Sequence, residues 1–334
     1  MASRFVIKRK KLKEDVSVTI RKYSSLNQKS FWGAVITNDG SEVVLCGRNV
    51  RVFDCNREQF SHTLSRLTNA TVAISHDQKR VCVLSASAKG VITLVEYTRD
   101  NDSFNETRRI TLKGQNTDGG KLFFSTDDKY MFFCLEAKQV WRFSCVDGMC
   151  CCLYRAEYHD QRLSLDVYAD QLLVTLNSFS ETNHNGIDIL TSDGFCIKSL
   201  RYSDERVKNK IIRGKWLNAR DILMVYPTDF RSSQDAHQIV AWRSTTYLGY
   251  TSSEWTIERS GKALYDICIS PMRNYIAYVW LDMLNGGRYT IGVYDLKTLN
   301  NVNECTVEAY MDIVFSYNDK YLFVCSNDYV RICL

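Results

Sequence analysis

The sequence predicts an all-β fold, a seven-bladed propeller, and three observations carry that prediction. Seven strand-turn-strand units recur along the 334 residues, centred on FWGAVITNDGSEVVL, TVAISHDQKRVCVL, KLFFSTDDKYMFFCL, LSLDVYADQLLVTL, IRGKWLNARDILMVY, LYDICISPMRNYIAYVW and MDIVFSYNDKYLFVC. Anchored on Asp39, Asp77, Asp127, Ala169, Asn218, Met272 and Asn318, they are spaced by 38, 50, 42, 49, 54 and 46 residues. A period of roughly 40–50 residues carrying several strands is that of a propeller blade. The second run of each unit (EVVLC, RVCVL, YMFFCL, QLLVTL, ILMVY, YIAYVW, YLFVC) is apolar on consecutive residues rather than alternate ones. That is the pattern of a strand covered on both faces.

The third observation concerns the ends. A third strand closes most units on an aromatic or apolar residue followed by a polar one: VRVFD at Asp54, VWRFS at Ser144, IDILT at Thr191, VAWRS at Ser244 and IGVYD at Asp295. The last unit stops at VRICL, one strand short, while an orphan strand, VSVTIRKY (16–23), precedes the first. An open ring would leave sheet edges exposed, so residues 15–23 are expected to pair with the C-terminal strands and complete the last blade. Residues 1–14 read as a basic lead-in and 15–334 as a single domain. Merging or splitting one irregular unit gives six or eight blades. In REQFSHTLSRL, Phe60, Leu64 and Leu67 would share a helix face, but the repeat needs a fourth strand there.

Composition agrees with one large core. Apolar residues make up 45% and only two prolines, Pro227 and Pro271, interrupt the chain. No apolar run approaches the roughly 18–20 residues of a membrane span, and the stretch MASRFVIKRKK has no apolar run long enough for a secretory signal peptide. An intracellular protein, cytoplasmic or nuclear, with no membrane contact is expected. Thirteen cysteines, with Cys46, Cys82, Cys134, Cys268 and Cys325 inside apolar runs, read as reduced core thiols. The net charge of +5 is accounted for by Lys8, Arg9, Lys10, Lys11 and Lys13, so the body is close to neutral.

With these residues in view, the chain resembles the WD40 family. The endings VFD (52–54) and VYDL (293–296) look like the family's Trp-Asp, and Ser75-His76-Asp77-Gln78-Lys79 and Ser125-Thr126-Asp127-Asp128-Lys129 like its turn. No unit carries the Gly-His dipeptide or a literal Trp-Asp, so the family's His–Ser/Thr–Asp–Trp network is not expected in its usual form. The resemblance implies a divergent WD40-like scaffold.

Function is sought on loops, since propeller strands are structural. SFSETNHN (178–185), PTDFRSSQDAH (227–237) and LDMLNGGR (281–288) lengthen the connection between second and third strands of three consecutive units, all on one face. Phe179, Phe230, Met283 and Leu284 beside Arg231 and Arg288 have the composition of a protein-binding hot spot. The bland alternative folds each insertion back onto its own blade. TRDNDSFNETR (98–108) is expected to be a solvated loop on the opposite face. The run from Lys8 to Lys13 reads as a solvated lead-in, a nuclear-import signal or a phosphate-contacting arm. Cys150, Cys151 and Cys152 point to alternating faces of a strand and cannot grip one ion. His184 and His237 share the loop face, but two ligands do not make a metal site. No nucleophile elbow, Walker loop or dinucleotide fingerprint is present.

The expectation is therefore a non-enzymatic scaffold without cofactor or metal, holding protein partners within a larger complex. Two further readings stay open: an enzyme with its pocket at the ring mouth, and a nucleic-acid-associated factor using the basic N-terminus.

Overall fold

The apolar second runs form strands whose side chains are covered on both faces. Val43, Val81, Met131, Leu172, Ile276 and Leu322 are all fully buried at the same point of their strands. In the computed structural model, which describes residues 20–23, 31–67, 69–87, 89–100, 103–113, 121–178, 185–201, 213–217, 221–226, 238–245, 249–256, 262–282, 287–298, 300–326 and 330–334, the strands form seven antiparallel four-stranded sheets. Six are built from consecutive strands, as in sheet one, which runs Gly33–Ile36, Glu42–Cys46, Val50–Asp54, Gln59–Ser65. No helix occurs among the described residues. The innermost strands of sheets two to seven are Ala70–Ile74, Phe123–Phe124, Gln161–Tyr168, Arg213–Trp216, Lys262–Ile269 and Asp312–Phe315. Shared cores join neighbouring sheets; one links Val44 and Val52 of sheet one with Val72 and Val83 of sheet two, another Leu223 of sheet five with Ile267 and Trp280 of sheet six. The architecture is an all-β propeller.

Sheet seven contains the chain's two ends. Ile20–Lys22 pairs antiparallel with Val330–Cys333, in register Ile20↔Ile332, Arg21↔Arg331 and Lys22↔Val330. Tyr23, which follows, is fully buried edge-on against Phe53 of sheet one, with ring centroids 5.4 Å apart. Residues 15–19 of the expected closing strand, and the lead-in before them, lie outside the described residues.

The turn signature is a hydrogen-bonded module. In five sheets a buried hydroxyl, Thr37, Ser75, Ser125, Ser270 or Ser316, accepts the backbone N–H five residues on, at 2.9–3.1 Å. The same hydroxyl donates to Asp39, Asp77, Asp127 or Asn318 two residues on, at 2.5–2.8 Å. These side chains do in a turn what backbone partners do in a ladder. The polar ends of the third strands act likewise. Asp54 accepts the N–H groups of Asn56 and Arg57, and Asp295 those of Lys297 and Thr298.

Two expectations change. The polar stretch 98–108 is a two-stranded ribbon instead of a loop: Val91–Asp100 pairs with Ser103–Lys113 out to Asp100↔Ser103. An outer ribbon faces water and needs no apolar alternation; Phe104 anchors it on His62, centroids 5.5 Å apart, and Arg99 reaches Glu42 of sheet one at 2.6 Å. Cys268 lines the central lumen, whereas Cys46, Cys82, Cys134 and Cys325 are core thiols as expected. Gln59–Ser65 is the strand that the repeat required.

Candidate functional site

Antiparallel order fixes two rims. The first-to-second strand turns lie on one rim of the ring, the second-to-third strand connections on the other. Second strands end at Ser178, Tyr226 and Asp282, and third strands resume at Gly186, Gln238 and Arg288. The expected connections therefore leave the loop rim of sheets four, five and six. Of the six residues singled out there, Arg288 is described: it is exposed, opens its strand, and faces Asp282 in register. Phe179, Phe230, Arg231, Met283 and Leu284 lie outside the described residues, as do Lys8, Arg9, Lys10, Lys11, Lys13, His184 and His237.

On the turn rim the sheets are stitched together. The fourth residue of each described turn adopts the left-handed backbone conformation: Gly40, Gln78, Asp128, Asp170, Arg273 and Asp319, with φ between 56° and 68°. At Gln78, Asp128, Asp170 and Asp319 the side chain reaches back to the previous turn. Gln78 accepts the N–H of Asn38 at 3.0 Å, and Asp128 those of His76 and Asp77 at 2.9 and 3.1 Å. Asp170 accepts from Thr126, and Asp319 from Met272 N–H and the Ser270 hydroxyl at 3.1 and 2.6 Å. Gly40 has no side chain to offer, because a Cβ there would sit 2.8 Å from the Tyr321 ring. Asn38 substitutes, accepting Asn318 N–H through its side chain at 3.1 Å.

The innermost strands surround a lumen of about 420 Å³. Register places Val35, Ala73, Phe123, Asp166, Lys215, Cys268 and Val314 in one layer of its wall, one from each sheet. Within that layer Lys215 Nζ meets Asp166 at 3.4 Å, and Trp216 N–H donates to the same carboxylate at 2.8 Å. Two residues further from the turns, Lys121 of sheet three reaches across the ring to Asp312 of sheet seven at 3.4 Å. The Asp312 carboxylate also accepts Ala34 N–H at 3.2 Å and holds the Lys121 ammonium well above the ordinary lysine range. Burial pushes the Cys268 thiol up.

At the turn end of the lumen, side chains from different sheets meet. His76 of sheet two packs against Tyr317 of sheet seven, centroids 4.2 Å apart and rings inclined at 57°, and places Nδ1 2.8 Å from Asp128. Arg273 of sheet six extends past sheet five to lie over the Tyr168 ring of sheet four, 4.5 Å from its centroid, and donates to Val167 O at 3.4 Å. Burial raises the Tyr317 phenol above its ordinary range.

Of these lumen residues, Asp166, Lys215, Lys121, Asp312 and Arg273 were not singled out by sequence reasoning. Arg273 had a signal: the fourth turn position reads Gly, Gln, Asp, Arg and Asp in TNDGS, SHDQK, STDDK, SPMRN and SYNDK, and a cation stands out there. Lys121 carries no such mark. The cysteine run forms part of the outer strand Cys150–Arg155, with Cys151 exposed and its neighbours half-buried, as alternation requires. No group of three or more His, Cys, Asp or Glu suited to a metal occurs among the described residues.

No protein-family model matches the chain, and no curated protein matches it by sequence. Solved structures do match. Raptor of Chaetomium thermophilum superposes with a TM-score of 0.63 at 9% identity, over 92% of this chain and 28% of that one. The Cps50 (Swd1) β-propeller domain of Myceliophteria thermophila gives 0.61 at 11% identity, over 92% of this chain and 98% of that one. The chain shares the β-propeller fold of these structures. This propeller keeps the architecture with little shared sequence because burial pattern and turn chemistry specify it, and many residue choices satisfy both. It spans 28% of the length of the Raptor chain. No helix among the propeller's described residues is long and apolar enough to cross a membrane.

Proposed function

We propose that this propeller, counted as seven blades with one per four-stranded sheet, is a non-enzymatic scaffold that holds protein partners within a larger complex, in the cytoplasm or nucleus. One observation carries the reading: three consecutive sheets raise long connections (179–185, 227–237, 283–287) on the rim opposite the interlocked turns. A closed array of sheets holds the roots of such loops in place, so little ordering entropy is lost when a partner docks. The contact residues are Phe179, Phe230, Arg231, Met283, Leu284 and Arg288, apolar and aromatic anchors beside arginines. The likeness to Raptor and to the Swd1 propeller supports the fold on which this reading rests.

The test is the double variant Phe230→Ser with Leu284→Ser, compared with wild type for capture of native partners and for thermal stability. Capture is expected to fall at least tenfold, with the melting temperature unchanged. A large loss of stability would show that these side chains are core, and unchanged capture would remove the loop rim as the contact face.

A further inference from the structure

The lumen contains a charge with too few partners. Arg273 is 10% exposed at its side chain, lines the cavity, and has a buried Nε–H with no hydrogen-bond partner. Its nearest carboxylate, Asp166, is 3.9 Å away and is already bound by Trp216 N–H and Lys215. Two cations thus share one occupied carboxylate. A buried cation in that state is costly unless something neutralises it. The other acids nearby are engaged: Asp128 holds the His76 and Asp77 N–H groups, and Asp319 those of sheet six. Lys121, deeper in the lumen, is committed to Asp312.

We propose that the lumen binds a small amphipathic monoanion, its carboxylate at the Arg273 guanidinium and its apolar body along Val35, Phe123 and Val314. One carboxylate answers the one buried guanidinium whose nearest carboxylate is already bound by Trp216 N–H and Lys215. The planar guanidinium suits a carboxylate. Tyr168 and Tyr317 flank the same end and supply phenol groups. Beyond them the wall layer turns apolar at Val35, Ala73, Phe123 and Val314, interrupted by Asp166, Lys215 and Cys268 on one side. A volume of about 420 Å³ lies within the range of small-molecule sites. The lumen is also a tube bounded by parallel inner strands, so a linear body fits it better than a broad one. This inference does not depend on the loop rim; a partner held there and a ligand held in the lumen can fail separately.

The probes are sodium octanoate and 1-octanol, titrated calorimetrically into the whole protein. Octanoate is expected to bind at one site at least tenfold more tightly than octanol. Across hexanoate, heptanoate and octanoate each added methylene should tighten binding roughly threefold to fourfold. Arg273→Met should lose at least tenfold for octanoate and leave octanol unchanged. A location check needs no variant: octanoate should slow alkylation of Cys268 in the lumen and leave Cys151 on the outer strand unaffected. The proposal is overturned if no alkanoate binds, if octanoate and octanol bind alike, if Cys268 is not protected, or if a folded Arg273→Met keeps its octanoate affinity.

Discussion

Asp319 and Arg273 occupy the same position of adjacent turns, with φ of 60° and 59°, and do opposite things. Asp319 turns back to sheet six and binds its backbone N–H groups and the Ser270 hydroxyl. A guanidinium has only donors and cannot do this for the sheet before it, so Arg273 extends into the lumen and reaches sheet four. One backbone position thus serves as a stitch or as a probe of the lumen according to whether its side chain accepts or donates. Asp319 also compensates a local departure: sheet six has Met272 where the turns of sheets one, two, three and seven have Asp or Asn, and the carboxylate from sheet seven takes over the Ser270 hydroxyl.

The comparison can be broken most forcefully at the stitch. Asp319→Ala would leave Met272 N–H, the Asn274 side-chain amide and the Ser270 hydroxyl without their acceptor, at about 3 kcal/mol, read as a lower midpoint in denaturant titration. Gly40→Ala comes next. It places a Cβ in the left-handed region and 2.8 Å from the Tyr321 ring, and is expected to lose about 2 kcal/mol by the same measurement. Arg273→Met should by contrast stay within about 1 kcal/mol of wild type, because it removes an underpaired buried cation and keeps the apolar stem. A loss as large as that of Asp319→Ala would mean Arg273 is itself a stitch.

Acid sharpens the same contrast. Lys129 beside Asp127, with the Ser125 hydroxyl, lowers that carboxyl to about 2. Burial alone would raise Asp39 and Asp77, but hydroxyls of Thr37 and Ser75 and backbone N–H groups outweigh it, and both lie below the ordinary value. A carboxyl lowered on folding contributes stability in full above its unfolded pKa of about 4, and the contribution is lost as pH falls through the folded value. The melting temperature should therefore drop between about pH 4 and pH 2, and Asp77→Asn should shrink that drop. The smallest effect is chemical. In the native protein a thiol reagent should rapidly label exposed Cys151 and Cys196 while sparing Cys46, Cys55, Cys82, Cys134, Cys145 and Cys325, whose thiols burial raises.

Strand-level features were legible in the sequence because their causes are local. The apolar runs declare strands covered on both faces, the Ser-x-Asp turns declare their own hydrogen bonds, and one missing strand matched one spare. The ribbon at 98–108 was misread as a loop because an outer strand facing water has no apolar pattern to show. Of the candidate site, only the placement of the three connections could be read beforehand.

Sequence alone determined the repeat, the turn chemistry and the pairing of the chain's two ends, since each depends on residues a few places apart or on a count of strands. Tertiary structure alone decided which charges meet. Ala34 and Asp312 are 278 residues apart, and Arg273 and Val167 are 106 apart. Ring closure brings such pairs within reach, and no local spacing encodes a contact made across a lumen.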